Sequence, residues 1–208
     1  MPYGKVEKEA NTKSALHFLV TKGWTQMQAA AIIGNLTAES YMNPETPRGD
    51  DGSAMGLAQW RGDRLVKFQE IIGKHCEDSS LEEQLSFVNW ELNNTNKKAG
   101  NLLRKAPDLE IAVGVIDKYY ERSAGIHLER RIKFAKEALE NYGWLDEKEQ
   151  LDEKLDEEVK QSMHASDPLS QTQPGTNNEP VPSSGFPEKP LTFWQRLIAW
   201  LQSLGEQK

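Results

Sequence analysis

Apolar residues recur at helical spacing through most of the first 145 positions, and no stretch alternates convincingly at period two. Leu16, Leu19 and Val20 share one face of a helix expected from Asn11 to Lys22, closed by Gly23. Thr25-Gln26-Met27-Gln28 has the form of a capping box. It opens a helix through Ala29, Ala30, Ile32, Ile33 and Leu36 to about Ser40. A third helix is expected over about 62–74, with Leu65, Phe68 and Ile72 on one face. Ser80-Leu81-Glu82-Glu83 is a second capping box, followed by Leu85, Val88 and Leu92 in register. Another helix follows Pro107-Asp108 and carries Ile111, Val115 and Ile116. The last of this group spans about 127–142, with Gly143 as its stop. The fold class is all-α: a helical domain over 1–145.

After Trp144 the pattern changes. Residues 146–160 carry eight acids and three lysines beside a thin Leu151, Leu155, Val159 stripe, which reads as an exposed acidic helix. Residues 161–190 are rich in Ser, Pro, Gln and Asn without periodicity, the composition of a disordered linker. Residues 191–208 form a second island of order. Thr192 to Gln195 is again a capping box, and Phe193, Trp194, Leu197, Ile198, Trp200, Leu201 and Leu204 fall on one side of a helix. Such a helix can fold back on the domain, lie on a membrane surface or dock on a protein partner. We take it as a localisation device dispensable for catalysis.

Composition narrows the function. The net charge of −7 is concentrated in 146–160, so the domain itself is near neutral and lacks the basic footprint of a nucleic-acid binder. The TQMQAAAIIGN stretch superficially resembles the start of a DNA-binding helix-turn-helix. The chain then continues TAESYMNPETP, where a recognition helix would need groove-reading side chains. The single cysteine, Cys76, permits no intramolecular disulfide. The four histidines have no ligand spacing, so no metal site and no cofactor is expected. The opening MPYGKVEKEANTK lacks the apolar core of a secretory leader, which suggests synthesis in the cytoplasm.

The chemistry is concentrated around residues 38–60. Ala38-Glu39-Ser40 ends an apolar helix, where packing could hold a carboxyl protonated, as a glycosidic acid requires. A long polar loop leads to Gly56-Leu57-Ala58-Gln59-Trp60. Gln59 offers an amide to a sugar, Gly56 allows close backbone approach, and Trp60 offers either a flat face for a pyranose or a core aromatic.

AIIGNLTAES, then GDDGSAMGLAQW and GDR, resembles the phage tail lysozyme family, within the wider group of goose-type lysozymes and soluble lytic transglycosylases. The resemblance extends more weakly through QLSFVNWEL and YYERSAGIHLERRIKFAKEAL, and covers most of 10–142. It implies a lysozyme-like fold and a muramidase acting on peptidoglycan glycan strands. Glu39 would be the acid that cleaves the β-1,4 bond after N-acetylmuramic acid, with Ser40 setting its position and Gly56 and Gln59 lining the cleft. Goose-type relatives are thought to position water with an aspartate six residues before the motif glycine. Asp50 occupies that place, and Asp51 is its competitor. Their second aspartate, directly after the motif, is replaced by Arg61, which leaves hydrolysis and transglycosylation both open. Glu121 and Arg122 read as an internal ion pair in the cleft wall. A catalytically inactive wall-binding module is the non-enzymatic alternative. Reaching the wall would require phage-related delivery or a dedicated export route.

Overall fold

The capping boxes at Thr25 and Ser80 form where the sequence places them. Thr25 Oγ1 accepts from Gln28 N and Ser80 Oγ from Glu83 N, while the Gln28 and Glu83 side chains accept from the backbone N–H of Thr25 and Ser80. Each pair satisfies two amides that a helix start otherwise leaves open. The computed structural model describes residues 3–46, 53–123, 125, 127–143 and 191–205. The acidic helix at 146–160, the linker at 161–190 and both Asp50 and Asp51 lie outside the described residues.

The helices are α1 (Lys5–Thr21), α2 (Gln26–Ser40), α3 (Asp63–Ile72), α4 (Leu81–Asn93), α5 (Lys97–Lys105), α6 (Leu109–Ile116), α7 (Leu128–Tyr142) and α8 (Phe193–Ser203). A 3₁₀ turn covers Cys76–Asp78, and a π turn, Asp117–Glu121, continues α6. Among the described residues there is no strand, only an isolated bridge between Met55 and Trp60, so the class is all-α. Helix α1 begins six residues before the expected start, because its first turns are polar and exposed and carry no apolar rhythm. Helix α5 escapes the sequence reading for a related reason: it is a short, strongly basic segment. Its Gly100 is required because an added Cβ would lie 2.1 Å from the Leu92 carbonyl of α4.

Helices α2 and α6 are apolar nearly all round and lie inside the domain, with Gln28–Thr37 and Ile111–Ile116 buried. Helix α7 crosses α2 at Gly34, where a Cβ would sit 2.5 Å from the Arg131 carbonyl and 2.7 Å from Ala135 Cβ. The absent side chain at Gly34 therefore brings Arg131 down onto the end of α2.

Helices α1–α7 and α8 belong to one compact unit. Helix α8 seats its apolar side on α6: Leu197 is fully buried, and the Phe193 ring fills the space over Gly114, 2.3 Å from where a Cβ would be. Arg196 places Nη2 2.5 Å from Asp108 Oδ2 and Nη1 2.9 Å from Glu110 Oε2, so its guanidinium spans the cap and first turn of α6. Of the three placements open to this helix, its apolar face is in part folded back on the domain, while Trp194 and Ile198 remain exposed. No described helix is long and apolar enough to cross a membrane.

Candidate functional site

The last turn of α2 is fastened from several sides. Ser40 is buried, and its hydroxyl donates back to the Leu36 carbonyl at 3.0 Å. Its carbonyl accepts from Thr46 Oγ1, also at 3.0 Å. Tyr41 and Met42 both adopt left-handed backbone, and the Met42 carbonyl accepts from Tyr3 Oη at 2.6 Å and Asn11 Nδ2 at 2.9 Å. Left-handed non-glycine residues are uncommon and need such support. Ser40 therefore anchors the helix end through its bonds to Leu36 and Thr46.

Glu39 keeps 26% of its side chain exposed, and its Oε1 accepts from Arg131 Nη2 at 2.5 Å. The expected apolar surround is replaced by an ion pair. Arg131, only 5% exposed, is itself braced: Nη1 donates to the Asn35 carbonyl and side-chain oxygen at 3.2 and 3.3 Å. Its Nε lies 2.9 Å from Asp117 Oδ1, an ion contact without hydrogen-bond alignment. Asp117 also accepts from Ser123 Oγ.

The motif at 55–60 is a tight turn closed by reciprocal backbone bonds between Met55 and Trp60 of 3.0 and 2.9 Å. Gly56 has φ +68° and is packed so closely that a Cβ would lie 2.6 Å from Gln84 Oε1 and 2.7 Å from Cys76 Sγ. The close approach that needs glycine is to the protein's own interior. Buried Gln84 accepts from Leu57 N at 2.8 Å and donates to the Pro44 carbonyl at 3.0 Å, tying the turn to the chain that leaves α2. Gln59, at φ +44°, faces the cleft while its Nε2 donates to the Gly56 carbonyl at 3.0 Å.

Trp60 corrects the sugar-platform expectation. Its ring is fully buried, packed 5.3 Å from Phe68 and 5.4 Å from Phe87. Its Nε1 donates to Glu91 Oε2 at 2.8 Å. Glu91 is a buried hub that the sequence reading missed: it also accepts from Tyr120 Oη at 2.7 Å and from Arg64 Nε and Nη2 at 2.8 and 2.9 Å. Burial and the neighbouring Glu91 charge keep the Tyr120 phenol well above its usual range. No single position signals the hub, because its members come from four separate elements.

These pieces enclose a cleft of about 330 Å³ lined by Glu39, Ala58, Gln59, Arg61, Arg64, Tyr120, Glu121 and Arg122. The expected Glu121–Arg122 pair does not form. Arg122, at φ +57°, donates from Nη2 to Asn96 Oδ1 at 3.3 Å, and Glu121 Oε1 is buried with no hydrogen-bond partner. Burial, then the charge of Glu39, push the Glu121 carboxyl up to about 8. Of the sequence-selected residues, Glu39 and Gln59 meet in this cleft, while Ser40, Gly56 and Trp60 stand behind it as its frame. No group of described residues has the makings of a metal site.

The family model for phage tail lysozyme matches residues 10–142, which span every element around the cleft. Morphogenesis protein 1 of Bacillus phage B103 is 25% identical over 96 residues, covering 44% of this chain. That stretch is 26% of the phage protein, so the chain corresponds to about a quarter of its length. No solved structure matches.

Proposed function

The chain belongs to the phage tail lysozyme family, and from that premise we propose that it is a peptidoglycan muramidase with Glu39 as general acid. The observation that carries the reading is the meeting of Glu39 with Gln59 across one open cleft, each fixed by a partly buried hydrogen bond, Glu39 to Arg131 and Gln59 to the Gly56 carbonyl. Glu39 protonates the oxygen of the β-1,4 bond between N-acetylmuramic acid and N-acetylglucosamine as positive charge develops at the sugar carbon. Water then adds on the other side, or the muramic acid's own hydroxyl closes an anhydro ring. Asp50 and Asp51 are the candidates for holding that water. No cofactor is required. The substrate is glycan in the bacterial wall, reached by phage-related delivery or a dedicated export route, and the phage relative favours the former.

Mass spectrometry of muropeptides released from purified peptidoglycan tests this, with wild type set against Glu39→Gln. Reducing muramic acid ends from wild type alone support hydrolysis by Glu39. Anhydro ends from wild type alone support the transglycosylase route. Equal release by both proteins removes Glu39 from the mechanism, and no release by either folded protein points to a wall-binding module.

A further inference from the structure

Glu121 is a second carboxyl in the cleft, and the glycan-cleaving reading gives it no task. It ends the π turn that continues α6, and turns of this kind occur disproportionately at functional sites. Asp117, Tyr120 and Glu121 fall on one face of that turn, and the first two are fully engaged, by Arg131 and Glu91.

Glu121 is different. Its Oε1 is buried and unpartnered, a state that native proteins rarely tolerate without a reason. Three arginines stand close by, yet each is held elsewhere. Arg64 on α3 is bonded to Glu91, Arg131 on α7 to Glu39 and Asn35, and Arg122 to Asn96. The charged and titratable groups facing Glu121 across the cleft and from the packed helices are thus Glu39 on α2, Arg61, Arg64, Glu91 on α4, Tyr120, Arg122 and Arg131. The two carboxylates disfavour a charge on Glu121, Arg64 and Arg131 favour one, and burial outweighs them all. The carboxyl therefore carries a proton at neutral pH, beside the residue assigned to deliver one.

We propose that Glu121 is the proton store of this cleft, a positioning residue that supplies Glu39 with the proton Glu39 passes to the glycosidic oxygen. The inference rests on the glycan-cleaving reading above. The proton moves from Glu121 to Glu39 and then to the leaving oxygen as the bond from that oxygen to the sugar carbon breaks. Water, or the muramic acid hydroxyl, adds its oxygen to that carbon and gives up one proton, which returns to the carboxyl pair. Proton number and charge are restored after each turnover. Two neighbouring carboxyls with only one proton between them are a general means of keeping an acid ready.

The test is the pH dependence of muropeptide release by the full chain, using wild type, Glu39→Gln, Glu121→Gln and Glu121→Met, with thermal unfolding of each. We expect wild-type kcat to fall on a basic limb near pH 8. Both Glu121 variants should lose that limb and at least tenfold in kcat at neutral pH, with KM changed less than about threefold. They should unfold no earlier than wild type, because each removes a carboxyl whose buried Oε1 lacks a hydrogen-bond partner. If wild type is active and Glu39→Gln is dead, unchanged kcat and pH profile in the Glu121 variants overturn the inference alone. So does a loss that merely tracks a lowered unfolding temperature in both. If wild type releases nothing, or Glu39→Gln releases as much, the reading of the cleft falls and this inference with it.

Discussion

Arg131 reaches back across ninety-two residues of chain to place Nη2 2.5 Å from Glu39 Oε1. The contact forms because α7 crosses α2 at a glycine, and it holds the carboxylate at the C-terminal, electronegative end of α2, where a cation is favoured. Arg131 also faces buried Asp117, so one guanidinium serves two carboxylates.

Arg131→Met should therefore be among the most damaging single changes. It strands Asp117 without a cation and frees Glu39 to move. Removing one partner of a buried pair typically costs about 3–5 kcal/mol. Urea unfolding of the variant should show a loss in that range together with loss of muropeptide release. A stability change under 1 kcal/mol, in a range typical of exposed pairs, would contradict the buried role.

Gly34→Ala tests the crossing itself. The new methyl would fall 2.5 Å from the Arg131 carbonyl, and because that contact is backbone, the helices must part. Overpacking of this kind costs roughly 1–3 kcal/mol. The expected result is a lower melting temperature and weaker activity from a displaced Arg131, even though alanine favours helix more than glycine does. A stabilised variant would mean that the crossing has slack.

The Glu91 hub makes a separate prediction. Glu91→Leu leaves Arg64 without its carboxylate and strips the Trp60 and Tyr120 donors of their acceptor. A loss of about 3–5 kcal/mol is expected, of the order found when a buried pair is broken. Near-ultraviolet dichroism should change as well, since the Trp60 and Tyr120 rings are both bonded to it. An unaltered spectrum with wild-type stability would show that the hub is dispensable.

Stability should carry the mark of Glu121. Its folded carboxyl sits at about 8, above the ordinary glutamate value of 4.5. Below that ordinary value both folded and unfolded chains hold the proton, so the group contributes no pH dependence. Between the two values the unfolded chain releases the proton while the folded one keeps it, and stability declines as pH rises. Wild type should lose more stability than Glu121→Gln between pH 5 and 8, read from parallel melts at each pH. Parallel curves for the two proteins would contradict the raised value.

The docking of α8 predicts that removing residues 191–208 weakens the domain. The deletion uncovers the α6 surface over Gly114, and it removes Trp194 from Gly125, in the loop that joins the π turn to α7. Leu197→Ala alone should cost about 2–5 kcal/mol if α8 unfolds together with the rest. Equal melting temperatures for the full and shortened chains would restore the view of α8 as a separable appendage.

Much of the fold was legible in the chain itself. Helix starts at Thr25 and Ser80 follow from local donors and acceptors, and the buried character of α2 follows from its run of apolar residues. Glu39 and Gln59 could be singled out because they lie in short, specific motifs. What the sequence could not decide is which way Trp60 faces, who partners Glu39, and where the last helix lies. A tryptophan suits a core and a sugar cleft equally well, and only packing against Phe68 and Phe87 chose between them. The Arg131, Glu91 and Glu121 environments depend on side chains from several helices meeting at angles that a linear pattern does not encode. The amphipathic stripe of α8 required an apolar surface, and tertiary packing supplied it from α6. Local propensity and patterning thus determine the helices, whereas desolvation and charge pairing, which exist only once the helices meet, decide the chemistry of the cleft.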